Sequence, residues 1–124
     1  MNKLAHFDIH SGDTNRSKAF YEKVFDWKCS SYPGAEDFFQ INASDGSVIG
    51  AISGRRYNPD SKDIFGFECS ITVDDVEETV AAVEAAGGKT LMPKTAIPHV
   101  GWIAKFLDPE GNLFAAIKYD ATAA

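Results

Sequence analysis

Apolar and polar residues alternate along His6-Phe-Asp-Ile-His10: Phe7 and Ile9 fall on one side, and His6, Asp8 and His10 on the other. A period of two marks a strand with one buried face. Glu68-Cys-Ser-Ile-Thr72 repeats the pattern, with Cys69, Ile71 and Val73 opposite Glu68, Ser70 and Thr72. After each strand the period lengthens. Phe20, Val24 and Trp27, and later Val76, Val80 and Val83, recur at helical spacing and predict one amphipathic helix in each half. The first helix is expected to end near Trp27. The second is expected to start on Asp74 as cap, with Glu77 three residues on, and to stop at Gly87–Gly88.

The two halves align at an offset of 62 residues, which sets His6 against Glu68 and Asp13 against Asp75. Further strands are expected at Asp37–Asn42 and Ser47–Ser53, and at Gly101–Leu107 and Leu113–Tyr119. The last two are joined by Asp108-Pro-Glu-Gly-Asn112, where proline presets a turn and glycine accepts positive φ. The stretch from Pro93 to Pro98 reads as a loop, and Arg55–Lys62 as the linker between halves. Each half is then a β-α-β-β-β unit. The expected fold class is α+β: one domain over residues 1–124, with repeat one at about 3–54 and repeat two at about 66–119. Helices cover the outer faces, and the polar strand faces form a concave, partly wet receptacle.

Charge narrows the partners. The net charge of -6 would repel a phosphate backbone, and the basic residues are scattered apart from Arg55–Arg56, so no nucleic-acid partner is expected. No apolar run approaches the roughly 18 residues of a membrane span, and the first ten residues lack a leader pattern. A cytoplasmic protein without a membrane partner is expected. Cys29 and Cys69 have neither metal nor redox spacing and read as two reduced thiols. No Ser-His-Asp order, P-loop or dinucleotide fingerprint is present.

Three strings in order carry a family likeness: Phe20–Trp27 (FYEKVFDW), Ile71–Lys89 (ITVDDVEETVAAVEAAGGK) and Gly101–Asn112 (GWIAKFLDPEGN). They resemble the vicinal-oxygen-chelate superfamily of glyoxalases, bleomycin-resistance proteins and extradiol dioxygenases. Within it they are most similar to the short branch related to lactoylglutathione lyase. The resemblance runs from Leu4 to Tyr119. It implies paired units curled into a half-barrel around a small-molecule pocket, and a homodimer. It implies no single reaction, because such folds host catalysts and plain binders alike.

The resemblance also implies metal-ligand positions on four strands. Carried onto this chain they fall at His6, at Gly50 or Ala51, at Glu68 and at Ala115. Only His6 and Glu68 can ligate, so no cofactor is expected to bind tightly, although a divalent ion (zinc, iron, nickel or manganese) could use them with Asp8 as a third ligand. Without metal, His6 and Glu68 are expected to face each other within one hydrogen bond or one bridging water, as a general acid–base pair. Asp8 and His10 share the polar face and are candidate substrate contacts. Phe38, Phe39, Phe65, Trp102 and Phe106 are candidates for an aromatic wall, with Phe39 and Trp102 taken as binding residues. His99, Arg55, Arg56 and Tyr57 read as solvated loop residues. Two functions compete: a lyase, isomerase or dioxygenase-related enzyme on a small oxygenated metabolite, and a metal-free binding or drug-sequestering dimer.

Overall fold

The segments of period two form strands and those of helical period form helices. In the computed structural model, which describes residues 2–54 and 66–124, the order is β1 (Leu4–Ser11), α1 (Thr14–Val24), β2 (Lys28–Ser31), β3 (Phe38–Asn42), β4 (Val48–Gly54), β5 (Phe67–Thr72), α2 (Val76–Ala85), β6 (Lys89–Ile97), β7 (Gly101–Leu107) and β8 (Leu113–Tyr119). The fold is α+β and built from two β-α-β-β-β repeats, as the sequence pattern indicates. No helix among the described residues is long and apolar enough to cross a membrane.

The chain divides into two compact units, residues 6–68 and residues 1–5 with 69–124. In the first, the strands run in the order β2-β3-β4-β1, with β1 parallel to β4 and the others antiparallel. In the second, the order is β6-β7-β8-β5, with β5 parallel to β8. The repeats therefore share one topology. Asp13 caps α1 and Asp75 caps α2, and these lie the 62 residues apart read from the sequence; with Phe7 set against Cys69, their partners Gly50 and Phe114 are 64 apart.

In the first unit, Ile9, Cys29, Ile41 and Ile52 form a buried cluster packed by Phe7, Tyr21, Trp27 and Phe39. In the second, Val73, Val76, Ala104, Phe106 and Ala116 pack with Val80 and Val83 of α2. The expected face of α2 is thus the one that packs. The face of α1 is not: Phe20 and Val24 are 58% and 54% exposed, and Tyr21 is the aromatic that reaches the sheet. The packed face of the short helix is thus displaced by one residue from the expected one. Asp13 caps it through a bond from the Arg16 amide (3.1 Å), and Thr14, not a later residue, is its buried position. The helix also ends at Val24, so Trp27 packs from beyond its end.

Two further departures have local causes. Asp75, not Asp74, caps α2; its carboxylate accepts from the Glu78 amide at 2.9 Å. β6 continues through Pro93, in the segment expected to be a loop. β6 is last in its unit's strand order, and its pairing with β7 shifts register between Met92 and Thr95. A bulge on an outer strand is where proline's missing N–H is tolerated. The Asp108–Asn112 turn forms as expected: the Asp108 amide donates to the Asn112 carbonyl (2.9 Å) and Gly111 sits at φ 86°. Cys29 and Cys69 are both free thiols, and desolvation raises the Cys29 pKa above its ordinary value.

A stability test separates the two aromatic positions. Phe106 is fully buried, so Phe106→Ala is expected to cost about 3–5 kcal/mol in urea unfolding. Phe20→Ala, on the exposed face of α1, is expected to stay within about 0.5 kcal/mol of the parent. Comparable losses in both would contradict the packing described.

Candidate active site

The face of the first unit's sheet opposite α1 carries the titratable groups. Strand alternation puts Asp8 and His10 there, away from Phe7 and Ile9. Parallel pairing sets Asp8 beside Ala51 and His10 beside Ser53. The Ser53 hydroxyl lies 2.8 and 2.9 Å from the two Asp8 carboxylate oxygens and donates to them. Glu68, at the start of β5, reaches the same place. The His10 amide donates to the Gly66 carbonyl at 3.1 Å, which draws the segment before Glu68 alongside the end of β1.

The central contact joins His10 Nε2 to Glu68 Oε1 at 3.0 Å, and both side chains are 2% exposed. Glu68 is therefore met by His10, four residues along β1 from the expected partner His6. The 62-residue offset identifies equivalent positions correctly, but backbone pairing decides which residues meet. His6 is half-buried on the same strand. The polar face is also drier than the expected partly wet receptacle: His10, Ser53 and Glu68 are 6%, 6% and 3% exposed. One atom stands out. His10 Nδ1 is buried and has no hydrogen-bond partner among the described residues.

The other candidates fall as follows. Phe39 packs into the helix-side cluster of the first unit, with Lys18 Nζ 5.8 Å from its ring centre. Phe38, one residue earlier, pairs with Ser53 and so lies on the titratable face, edge-on to Tyr32 at 6.2 Å. Trp102 belongs to the second unit, where it packs on the α2 side, donates to Asp120 at 3.4 Å and has Lys94 4.8 Å from its ring centre. Phe106 is core. His99 is exposed. Phe65, Arg55, Arg56 and Tyr57 lie outside the described residues. Sequence reasoning missed Ser53; its signal was its place at the end of the alternation in β4, level with His10.

The sequence and fold comparisons bear on this site. Residues 3–116 match the Glyoxalase/Bleomycin resistance protein/Dioxygenase superfamily. The chain belongs to that superfamily. Among curated relatives, it is 33% identical to the anthracycline biosynthesis protein DnrV of Streptomyces peucetius over 90% of this chain and 45% of that protein. It is 30% identical to a glyoxylase-like domain-containing protein of Didymella fabae over 91% of both. The chain thus spans about half the length of DnrV. Among solved structures, a Mn(II)-bound glyoxalase from Novosphingobium aromaticivorans shares the fold at a TM-score of 0.63 and 18% identity, over all of this chain and 42% of that one. An extradiol ring-cleaving dioxygenase from B. fuscum does so at 0.68 and 14%, over all of this chain and 34% of that one.

The ligand positions implied by the superfamily resemblance do not fit a metal here. A Cβ at Gly50 would meet the Phe7 carbonyl at 2.6 Å and the Phe7 ring at 2.8 Å, so no ligating side chain fits that backbone. Ala51 is fully buried, and Ala115 is buried among Ile103 and Ile117. A different set can hold an ion: Asp8, His10 and Glu68 each offer a ligand atom, all within 4.8 Å of one another. One imidazole and two carboxylates suit a first-row divalent metal. Occupancy competes with the bond already present. An ion on His10 Nε2 would break the bond to Glu68 Oε1, whereas an ion on Nδ1 would leave Nε2–H donating to that carboxylate and Oε1 committed to the ring.

Mn(II) or Zn(II) titrated by calorimetry is accordingly expected to bind weakly, since Glu68 Oε1 is already committed to the His10 ring. What binding there is should vanish in His10→Ala and persist in His6→Ala. Submicromolar stoichiometric binding, or dependence on His6 alone, would contradict this.

Proposed function

We propose that this chain is a glyoxalase-like enzyme of the lyase or isomerase class that moves a proton on a small oxygenated metabolite, with His10 as the base and Glu68 as the group that holds it. The observation that carries the reading is the buried His10–Glu68 bond together with the unpartnered Nδ1 on the same ring. A carboxylate accepts, so Nε2 carries the proton of the 3.0 Å bond. Nδ1 then keeps a bare lone pair in a dry setting. A substrate hydroxyl, or an acidic carbon next to a carbonyl, is what such a lone pair can deprotonate. Returning the proton to a neighbouring atom is an isomerisation; expelling a leaving group is an elimination. Asp8, fixed by Ser53, supplies an acceptor that can orient a substrate hydroxyl. His6, half-buried on the same strand, remains a second candidate for a proton-carrying role.

Superfamily membership and the glyoxylase-like relative support this class of chemistry. A metal-free binding or sequestering protein is the second reading, favoured by Gly50, Ala51 and Ala115 at the implied ligand positions. Homodimer assembly is part of either reading and is decided by light scattering against the 13.5 kDa chain mass.

The two readings part in deuterated water. A panel of α-hydroxyketones and diketones, followed by proton NMR, is expected to show protein-catalysed exchange of the hydrogen next to the carbonyl. The rate should fall about 10²–10⁴-fold in His10→Ala, the span of general-base catalysis. Binding without exchange would favour the sequestering reading, and exchange untouched by His10→Ala would overturn the role of His10.

A further inference from the structure

The outer faces of the two helices differ where the repeats are equivalent. The caps Asp13 and Asp75 set the alignment of α1 with α2. Packing supports it: Thr14 and Val76 are the buried residues of their helices, and Tyr21 and Val83 each pack on their own unit's core. Phe20 and Val24 of α1 then stand at the positions of Ala82 and Ala86 on α2, and Arg16 at that of Glu78. All six are exposed. Large side chains on one helix answer small ones on the other, and a base answers an acid.

The α1 face is an apolar patch. Phe20, Val24 and Phe25 are 58%, 54% and 50% exposed, and the rings of Phe20 and Phe25 both lie against that of Tyr21, at 5.1 and 6.4 Å between centres. At about 200 Å² per phenyl side chain, the three expose on the order of 300 Å². A patch of that size on a monomer is often functional, and it suits the apolar core of an interface of about 800 Å² per partner.

Charge indicates what fits the patch. The stretch Asp74–Gly88 around α2 has five acidic residues and no basic one, whereas Thr14–Lys28 around α1 has four basic residues and two acidic. The ends are complementary too. α1 carries Lys23 in its last turn and no acid in its first; α2 carries Glu77 and Glu78 in its first turn and no base in its last. Glu77 is held by Lys94 at 3.3 Å, and Glu78 is exposed. Lysine at a helix C-terminus and glutamate at an N-terminus meet when two helices lie antiparallel, which also brings opposite ends of their dipoles together. Lys23 follows Phe20 by three residues and Glu78 precedes Ala82 by four, so one antiparallel register serves both pairs.

We infer that the α1 face docks on α2 of a second copy of this chain, antiparallel, with Phe20 over Ala82 and Lys23 beside Glu78. This rests on the homodimer assembly proposed above and names its contact. Each copy carries one α1 and one α2, so a closed pair makes the contact twice, whereas copies joined one way would grow into a fibre.

Light scattering at tens of micromolar is expected to give twice the 13.5 kDa chain mass. Phe20→Ala should weaken the dimer at least about tenfold, as for an aromatic at the centre of an interface. Lys23→Glu and Glu78→Lys should each weaken it about tenfold, since the pair is made twice, and the double variant should recover the affinity. In urea, at dilutions where the parent is monomeric, all of these should unfold as the parent does. Loss in Lys23→Glu without loss in Glu78→Lys would assign the face to a second α1 and overturn the inference. A dimer indifferent to Phe20→Ala and to both charge reversals would overturn the surface and leave the assembly standing. A monomer at tens of micromolar would overturn both, and its binding to phosphatidylglycerol vesicles, lost in Phe20→Ala, would assign the face to a lipid surface instead.

Discussion

The parallel pairing of β1 with β4 is the constraint on which the site depends. It sets Ser53 level with His10 and Ala51 level with Asp8, so that a hydroxyl can fix one carboxylate and a methyl group leaves space beside it. A shift of one residue would turn Asp8 and His10 into the helix-side cluster and expose Phe7 and Ile9. The apolar packing of Ile9, Ile41 and Ile52 therefore holds the polar face in register, although none of these residues touches it. On that face, burial gives the hydrogen bond between His10 and Glu68 its weight. Removing one partner of a buried hydrogen bond costs about 1–3 kcal/mol. That cost keeps the imidazole in one orientation, and a fixed orientation is what proton transfer requires.

The two repeats kept their backbone and parted in chemistry. The offset of 62 residues holds at the helix caps Asp13 and Asp75 of the two units. Yet the second unit replaces the acid and imidazole positions with Ser70 and Thr72, and closes its equivalent strand face with Ile103, Ala115 and Ile117. Glu68 is the exception. It begins the second repeat by sequence but belongs by packing to residues 6–68. Gly50, Ala51 and Ala115 offer no ligating side chain, whereas Asp8, His10 and Glu68 each bring a ligand atom within 4.8 Å of the others.

Much of the fold was legible because its signals are local. Period two at His6–His10, period 3.6 at Val76–Val83 and the Asp108–Asn112 turn each report a backbone conformation through side-chain spacing alone. The face of α1 was not legible, because Phe20, Tyr21, Val24 and Phe25 leave several apolar faces open and only tertiary packing selects Tyr21. β6 was hidden by Pro93, whose tolerance depends on lying in an outer, bulged strand. In the site, the residue types were readable, since His10, Asp8 and Glu68 all stand on polar strand faces. Their pairing was not. A repeat alignment relates equivalent positions, whereas contacts follow from hydrogen bonds between strands, and the bond from His10 to Gly66 carries no mark in the sequence. Phe39 was preferred to Phe38 for want of the register that separates their faces.

The central claim is that Glu68 holds His10 with Nε2 protonated and Nδ1 bare. Nitrogen-15 NMR of histidine-labelled protein reads this directly, since a protonated and a bare ring nitrogen resonate far apart. The account predicts that the His10 ring shows a protonated Nε2 and a bare Nδ1, and that this signature collapses to a fast-exchanging average in Glu68→Ala. A proton on Nδ1 in the parent protein, or a His10 spectrum unchanged by Glu68→Ala, would contradict it.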